Sequence, residues 1–283
     1  MTNEFKTQFS EHIFKLKYAL TQNETWHQRA ITIVDSVCGT SNGTEHPLLS
    51  KEEREELVQA ITTFKFLPGG RYIYYSGRQA KFYNNCYLLR AEEDTREEWA
   101  DLTKRAMSCL MTGGGIGVDY SRLRESGRLL SRTGGIASGP LPLMYVMNEA
   151  GRNIMQGGSR RSAIYASLNW QHPDVEEFLH AKNWNSQRIQ GAYIREMDGE
   201  YMPMFLGDAK QNNFNFPAPL DMTNISVNYD NAWLNKEHRE LDPIFLENCK
   251  QTMSTGEPGF SFNFGDKENE TLRNACCEIT SED

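Results

Sequence analysis

Near the C-terminal end of the sequence, Asn274, Cys276 and Glu278 stand two residues apart in the stretch Asn274-Ala275-Cys276-Cys277-Glu278. Side chains of an extended segment alternate between faces, so an amide, a thiol and a carboxylate would share one face there. Such a set can bind a polar substrate, exchange a hydrogen at sulfur and move a proton at the carboxylate. Three fixed residues in five are a short pattern, and they gain weight only from upstream segments that complete a site.

The remainder of the chain bounds what that site serves. The 283 residues are 39% hydrophobic and 24% charged, with 14 Phe, 12 Tyr and 5 Trp, enough for a sizeable core in one large or two small domains. The net charge of −8 argues against binding nucleic acid through a broad basic surface, while local basic clusters remain able to hold single phosphorylated molecules. The cysteines are Cys38, Cys86, Cys109, Cys249, Cys276 and Cys277, without a CxxC pair, which fits neither a zinc ribbon nor a disulfide framework. No signal-peptide core opens the chain and no apolar run reaches the ~20 residues of a membrane span. A reducing cytoplasm is the expected compartment.

Helices are expected over 11–20 and 25–37, and another opens at Ser50 with a capping box to Glu53 and stops before Pro68. Leu67-Pro68-Gly69-Gly70-Arg71 reads either as an anion-binding turn or as a simple turn into a strand at 72–75. Residues 84–89 read as a short buried strand, and Cys86 on it as a packed thiol if nothing else is asked of it. Thr95 and Glu98 cap a helix whose apolar stripe includes Cys109, leading through Gly113-Gly114-Gly115 into a strand at 116–120. The order helix, glycines, strand is the reverse of a dinucleotide fingerprint. A loop at 121–139 carries Arg122, Arg124, Arg128 and Arg132, suited either to a nucleotide phosphate or to solvent. Beyond it lie a helix at 142–156, a strand at 163–169 and a helix from Pro173, then strands at 188–195 and 224–228. His172 and His180 read as capping or surface groups. A helix begins at Asp242-Pro243 with Phe245, Leu246, Cys249 and Met253 inward, and a strand follows at 260–264. Alternating strands and helices predict an α/β fold with a largely parallel sheet.

Several of these segments, in this order, resemble the catalytic chain of ribonucleotide reductases, and within them the adenosylcobalamin-dependent class II enzymes. They are Leu67-Pro68-Gly69-Gly70-Arg71, Asn84-Asn85-Cys86, the glycine stretch 113–119 with Ser121-Arg122-Leu123-Arg124, Ala137-Ser138-Gly139-Pro140-Leu141, Gly157-Gly158-Ser159-Arg160-Arg161-Ser162-Ala163, His172-Pro173-Asp174-Val175, Thr223-Asn224-Ile225-Ser226-Val227, Gly256-Glu257-Pro258-Gly259 and Asn274-x-Cys276-x-Glu278. The resemblance covers residues 66–278. It implies a helical region at 1–65 followed, over 66–283, by the first half of a ten-stranded α/β barrel. It implies that Cys276 is the thiyl-radical cysteine that takes the 3′ hydrogen, that Glu278 is the base for the 3′-hydroxyl, and that Asn274 holds the ribose hydroxyls and orients Glu278. Cys86 would be one of two reducing thiols. Gly69, Gly70, Arg71 and Asn85 would line the substrate side. Asp94 and Arg132 would contact a deoxynucleoside triphosphate effector, and Gly158, Ser159, Arg160, Arg161 and Ser162 would form the loop that sets specificity. The helix from Thr95 would belong to the effector region, often a homodimer contact.

The family's second redox cysteine lies beyond the radical cysteine, and this sequence stops at Asp283. Cys277 is a poor substitute, because consecutive residues of an extended strand face opposite ways. The expectation is a split or truncated reductase completed by a second polypeptide and recycled by a thioredoxin-like or dithiol reductant. Two other readings compete: a non-catalytic deoxynucleotide-binding or regulatory fragment, and a different radical enzyme of related barrel fold.

Overall fold

The computed structural model describes residues 5–39, 48–131, 134–154, 162–195, 199–265, 273 and 275. Asn274, Cys276, Cys277, Glu278, Arg132, Gly158, Ser159, Arg160 and Arg161 lie outside them. The chain divides into two compact units, residues 1–85 and 86–283.

The first unit is helical: α1 (Gln8–Ile13), a π-helical turn (Phe14–Tyr18), α2 (Trp26–Cys38), α3 (Lys51–Thr62) and α4 (Gly70–Tyr75). Local chemistry starts α2 and α3 alike. Thr25 with Gln28, and Ser50 with Glu53, close reciprocal capping boxes, and Gly39 ends α2 in the left-handed conformation (φ 70°). Phe14, Trp26, Ile33, Val34, Val58, Ile61 and Ile73 form its core. The run Tyr72–Tyr75 is helical, contrary to a strand after the glycine turn. Helical spacing buries Ile73 and lets the Arg71 side chain donate to the Phe82 carbonyl at 3.0 Å, two interactions that outweigh the strand preference of Tyr and Ile.

The second unit is built on five parallel strands in the order β1 (Cys86–Arg90), β2 (Gly115–Asp119), β3 (Ile164–Asn169), β6 (Thr223–Tyr229) and β7 (Gly259–Phe262). Helices α5 (Arg96–Met111), α6 (Leu141–Asn153), α7 (Val175–His180) and α10 (Pro243–Thr255) carry the chain between them, as parallel pairing requires. A two-stranded antiparallel sheet, β4 (Arg188–Arg195) with β5 (Tyr201–Phe205), then α8 (Leu206–Asn212), are inserted before β6, and a short α9 (Asn231–Leu234) follows it. Buried Ile116, Val118, Ile164, Ala166, Leu168, Ile225 and Val227 pack with Leu102, Leu110, Met144, Met147 and Phe178 of the helices. That is the burial expected of a parallel sheet.

Two expectations need correction, and two elements were not foreseen. β1 is half-buried along its whole length, not buried, because among the described residues it pairs only with β2 and forms an edge of the sheet. On α10 the buried side chains are Asn248 and Gln251, whereas Leu246 is 48% and Met253 90% exposed and Cys249 is half-buried. Asn248 donates to the Tyr229 hydroxyl, and Gln251 donates to Glu247 and accepts from Asn183, so specific hydrogen bonds hold a polar face inward. β5 and α8 fall in a stretch, 196–221, whose mixed polar sequence shows neither a clean period of 2 nor one of 3.6.

Candidate active site

Cys86 opens β1, and the parallel register places it beside Gly115, the first residue of β2. The glycine stretch that leads into β2 is there for close approach. A Cβ on Gly114 would lie 2.3 Å from the Tyr87 ring, and one on Gly115 would lie 2.9 Å from the Ala275 Cβ and 3.3 Å from the Ala163 Cβ. Ala275, 7% exposed, is the residue between Asn274 and Cys276 in the opening motif. The chain therefore returns from β7 to pack against the strand start that neighbours Cys86. Ala275, nearly two hundred residues after Cys86 in sequence, lies at the same end of the sheet.

Of the other candidates in this unit, Ser162 is buried and donates to the Ile154 carbonyl at 3.1 Å, joining the end of α6 to the start of β3. Asp94 caps no helix; its carboxylate and carbonyl accept from Arg124 at 2.5 and 2.6 Å. Arg122 pairs with Glu92 at 3.1 Å. Two of the arginines expected to be open to a phosphate are thus bound to carboxylates of the β1–α5 connection. In the first unit Gly69 and Gly70 are exposed, Asn85 is exposed beside Gly69, and Arg71 is buried against the Phe82 carbonyl and the Tyr75 ring. The remaining thiols differ in setting. Burial pushes the Cys109 thiol up, opposed by Arg105, and burial together with Asp35 does the same for Cys38. His172 is a structural cap: its Nε2 donates to the Leu123 carbonyl at 2.8 Å and its Nδ1 accepts from the Asp174 amide at 3.1 Å.

Sequence reasoning missed a polar cluster at the opposite end of the sheet. Asp119 Oδ1 accepts from the Ser121 hydroxyl at 2.6 Å, the Ser167 hydroxyl at 3.1 Å and Asn228 Nδ2 at 3.0 Å. Desolvation raises its pKa against those hydrogen bonds and against Arg90. Beside it, burial tends to raise the Asp230 pKa, but donors from Asn169, Trp170 and the backbone of Trp233 and Ala232 outweigh burial and lower it. Asn and Ser at strand ends carry no pattern that sequence alone would single out.

No group of three or more His, Cys, Asp or Glu among the described residues could hold a metal ion. A concave surface along α3 is lined by Lys51, Glu52, Glu55, Glu56 and Gln59, a charged helix face without a flat wall for a corrin ring. No described residue is assigned to adenosylcobalamin. No described helix is long and apolar enough to cross a membrane.

The family model "Ribonucleotide reductase, barrel domain" matches residues 84–280. A vitamin B12-dependent ribonucleoside-diphosphate reductase of Mycobacterium tuberculosis is 32% identical over 234 residues, covering 76% of this chain and 29% of that protein. A ribonucleoside-diphosphate reductase subunit alpha of Chlamydia muridarum is 29% identical over 140 residues, covering 47% of this chain and 13% of that protein. The chain thus spans less than a third of the length of these relatives. Among solved structures, the class Id ribonucleotide reductase alpha subunit of Actinobacillus ureae superposes with a TM-score of 0.60 at 12% identity, over 91% of this chain and 40% of that one. The parallel α/β sheet is that architecture in part, and the chain belongs to the ribonucleotide reductase barrel-domain family.

Proposed function

We propose that this chain supplies the thiyl-radical segment and one reducing thiol of a ribonucleotide reductase, acting when the rest of the barrel is provided by a second polypeptide. The observation that carries the reading is the packing of Ala275 on Gly115, the register partner of Cys86. Because Ala275 directly precedes Cys276 in sequence, this contact supports the reading that both thiols serve one substrate.

In this mechanism a thiyl radical on Cys276 takes the 3′ hydrogen atom of the ribose. Glu278, oriented by Asn274, accepts the 3′-hydroxyl proton. The 2′-hydroxyl, a poor leaving group in the closed-shell sugar, then leaves as water with a proton from the Cys86 thiol. Cys86 and a second cysteine outside this chain supply two electrons and two protons in all and end as a disulfide, while Cys276 returns its hydrogen to C3′ and Glu278 its proton to the 3′ oxygen. The products balance as deoxyribonucleotide, water and disulfide, which a dithiol or thioredoxin-like protein reduces. A closed interior protects the radical from stray reductants. Gly69, Gly70, Arg71 and Asn85 hold the substrate, and Asn85 directly precedes Cys86. Asp94, Arg132, Gly158, Ser159, Arg160, Arg161 and Ser162 serve a deoxynucleoside triphosphate effector, with α5 as a contact between two copies of the chain. The name of the M. tuberculosis relative supports vitamin B12 as the radical source, and no described residue is assigned to it.

The test is ribonucleotide reduction by this chain with adenosylcobalamin and a dithiol, with and without a polypeptide carrying the rest of the barrel. Activity is expected only in the mixture. Cys276→Ala should lower it by about a thousandfold or more, and Cys86→Ala should stop multiple turnover. Full multiple turnover by an assembled Cys276→Ala protein would rule the mechanism out. An assembly that forms, binds deoxynucleotide and never reduces would favour the regulatory reading.

A further inference from the structure

The glycine pair at 69–70 is exposed, and two side chains from distant segments stand over it. A Cβ on Gly70 would lie 3.3 Å from the Tyr18 hydroxyl, and one on Gly69 would lie 3.7 Å from Asn85 Nδ2. Neither the Tyr18 hydroxyl nor the Asn85 amide nitrogen is engaged by another described residue. Tyr18 closes the π-helical turn Phe14–Tyr18, a geometry that often marks functional positions because it redirects one side chain out of the helical register. Its backbone is fixed: the Tyr18 and Ala19 carbonyls accept from Arg78 at 3.5 and 3.2 Å, and Arg78 also donates to the Tyr74 carbonyl at 2.7 Å. The helical region thus aims one hydroxyl at Gly70, while Asn85 and the Tyr72 ring stand beside Gly69.

We propose that Tyr18 is a substrate-binding residue of the reductase, its hydroxyl donating to a phosphate oxygen of the nucleotide held over Gly69 and Gly70. This rests on the reading of that turn as the substrate side and extends it to a residue of the N-terminal helices. The hydroxyl and the Asn85 amide are neutral donors, so the pair would fix the position of a phosphate without adding charge. The ring of Tyr18 is half-buried against the first unit's core, so its orientation is set by packing and survives loss of the hydroxyl.

The experiment is equilibrium binding of cytidine 5′-diphosphate and of cytidine to the full chain, for the wild type, Tyr18→Phe and Asn85→Ala. Tyr18→Phe should weaken the diphosphate about tenfold, as for one hydrogen bond to a charged group, leave cytidine unchanged and keep the melting temperature. Equal weakening of both ligands, or a shifted melting temperature, would make Tyr18 structural and overturn the proposal. An unchanged diphosphate affinity in Tyr18→Phe, with a loss in Asn85→Ala, would overturn the role of Tyr18 and leave the turn as substrate site. Absence of any effect in both variants, or of binding in the wild type, would overturn both.

Discussion

Gly115 has no room for a side chain, and Asp119, four residues later on the same strand, has more donors than its ordinary chemistry asks for. Gly115→Ala puts a methyl 2.9 Å from the Ala275 Cβ, so Ala275 or the start of β2 must shift. In the completed reductase kcat should fall about tenfold to hundredfold, the usual cost of displacing a reacting group by a fraction of an ångström to an ångström, with the circular dichroism of the sheet unchanged. An unaltered kcat would remove the geometric argument for the site. At Asp119, burial favours the protonated acid. Asn228 gives its Nδ2 to Asp119 Oδ1 at 3.0 Å while its own Oδ1 has no partner among the described residues. An amide at 119 can keep the accepted bonds and donate to that orphaned oxygen. The folded pKa of Asp119 is raised, so its contribution to stability is complete below the ordinary carboxylate pKa and declines as pH rises. Asp119→Asn should therefore be neutral or stabilising by about 1 kcal/mol at pH 7, with the advantage vanishing in acid, as read by urea denaturation at both pH values. A loss of more than about 1 kcal/mol at pH 7 would show that the ionised carboxylate is needed there.

Between elements, one carboxylate ties three segments of the second unit. Asp221, 2% exposed at its side chain and lying just before β6, meets Lys210 of α8 at 2.6 Å and Arg152 of α6, and accepts from Asn148 of α6 at 3.2 Å. Asn148 in turn accepts from the Met222 amide and the Thr223 hydroxyl at 2.8 and 3.0 Å. Burial works against the charge, but the Arg152, Lys210 and Asn148 hydrogen bonds prevail and bring the pKa to about 2. A lowered folded pKa means that the stabilisation is present above the unfolded value near 3.8 and is lost as pH falls toward about 2. It is worth about 1–2 kcal/mol after allowing for screening at the partly exposed arginine. Asp221→Asn should cost at least that at pH 7, leaving two cations facing a neutral group, and the gap to the wild type should close below about pH 3. A gap that persists unchanged in acid would assign the loss to packing.

At the scale of the molecule, the described sheet presents β1 and β7 as its two edges, each paired on one side among the described residues. The chain covers 29% of the M. tuberculosis relative it matches. The mixing experiment proposed above is the measurement at this scale, with activity expected only when both polypeptides are present.

Much of the fold was legible because it is written in local chemistry. Thr25, Ser50, Thr95 and Asp242 each accept from a backbone amide at a helix start, and β4 runs over Arg188–Arg195 where alternation placed it. The motif order alone pointed to the reductase family. What required the tertiary structure were interactions whose partners are far apart in sequence. Tyr72–Tyr75 became helical because Ile73 found a core and Arg71 a carbonyl. The inward face of α10 became polar because Tyr229 and Asn183 were waiting for Asn248 and Gln251. Gly115 was legible only as a tight entry to a strand, until Ala275 arrived beside it. A periodic pattern reports how much of a side chain is hidden from water, but it carries no information about which distant partner hides it.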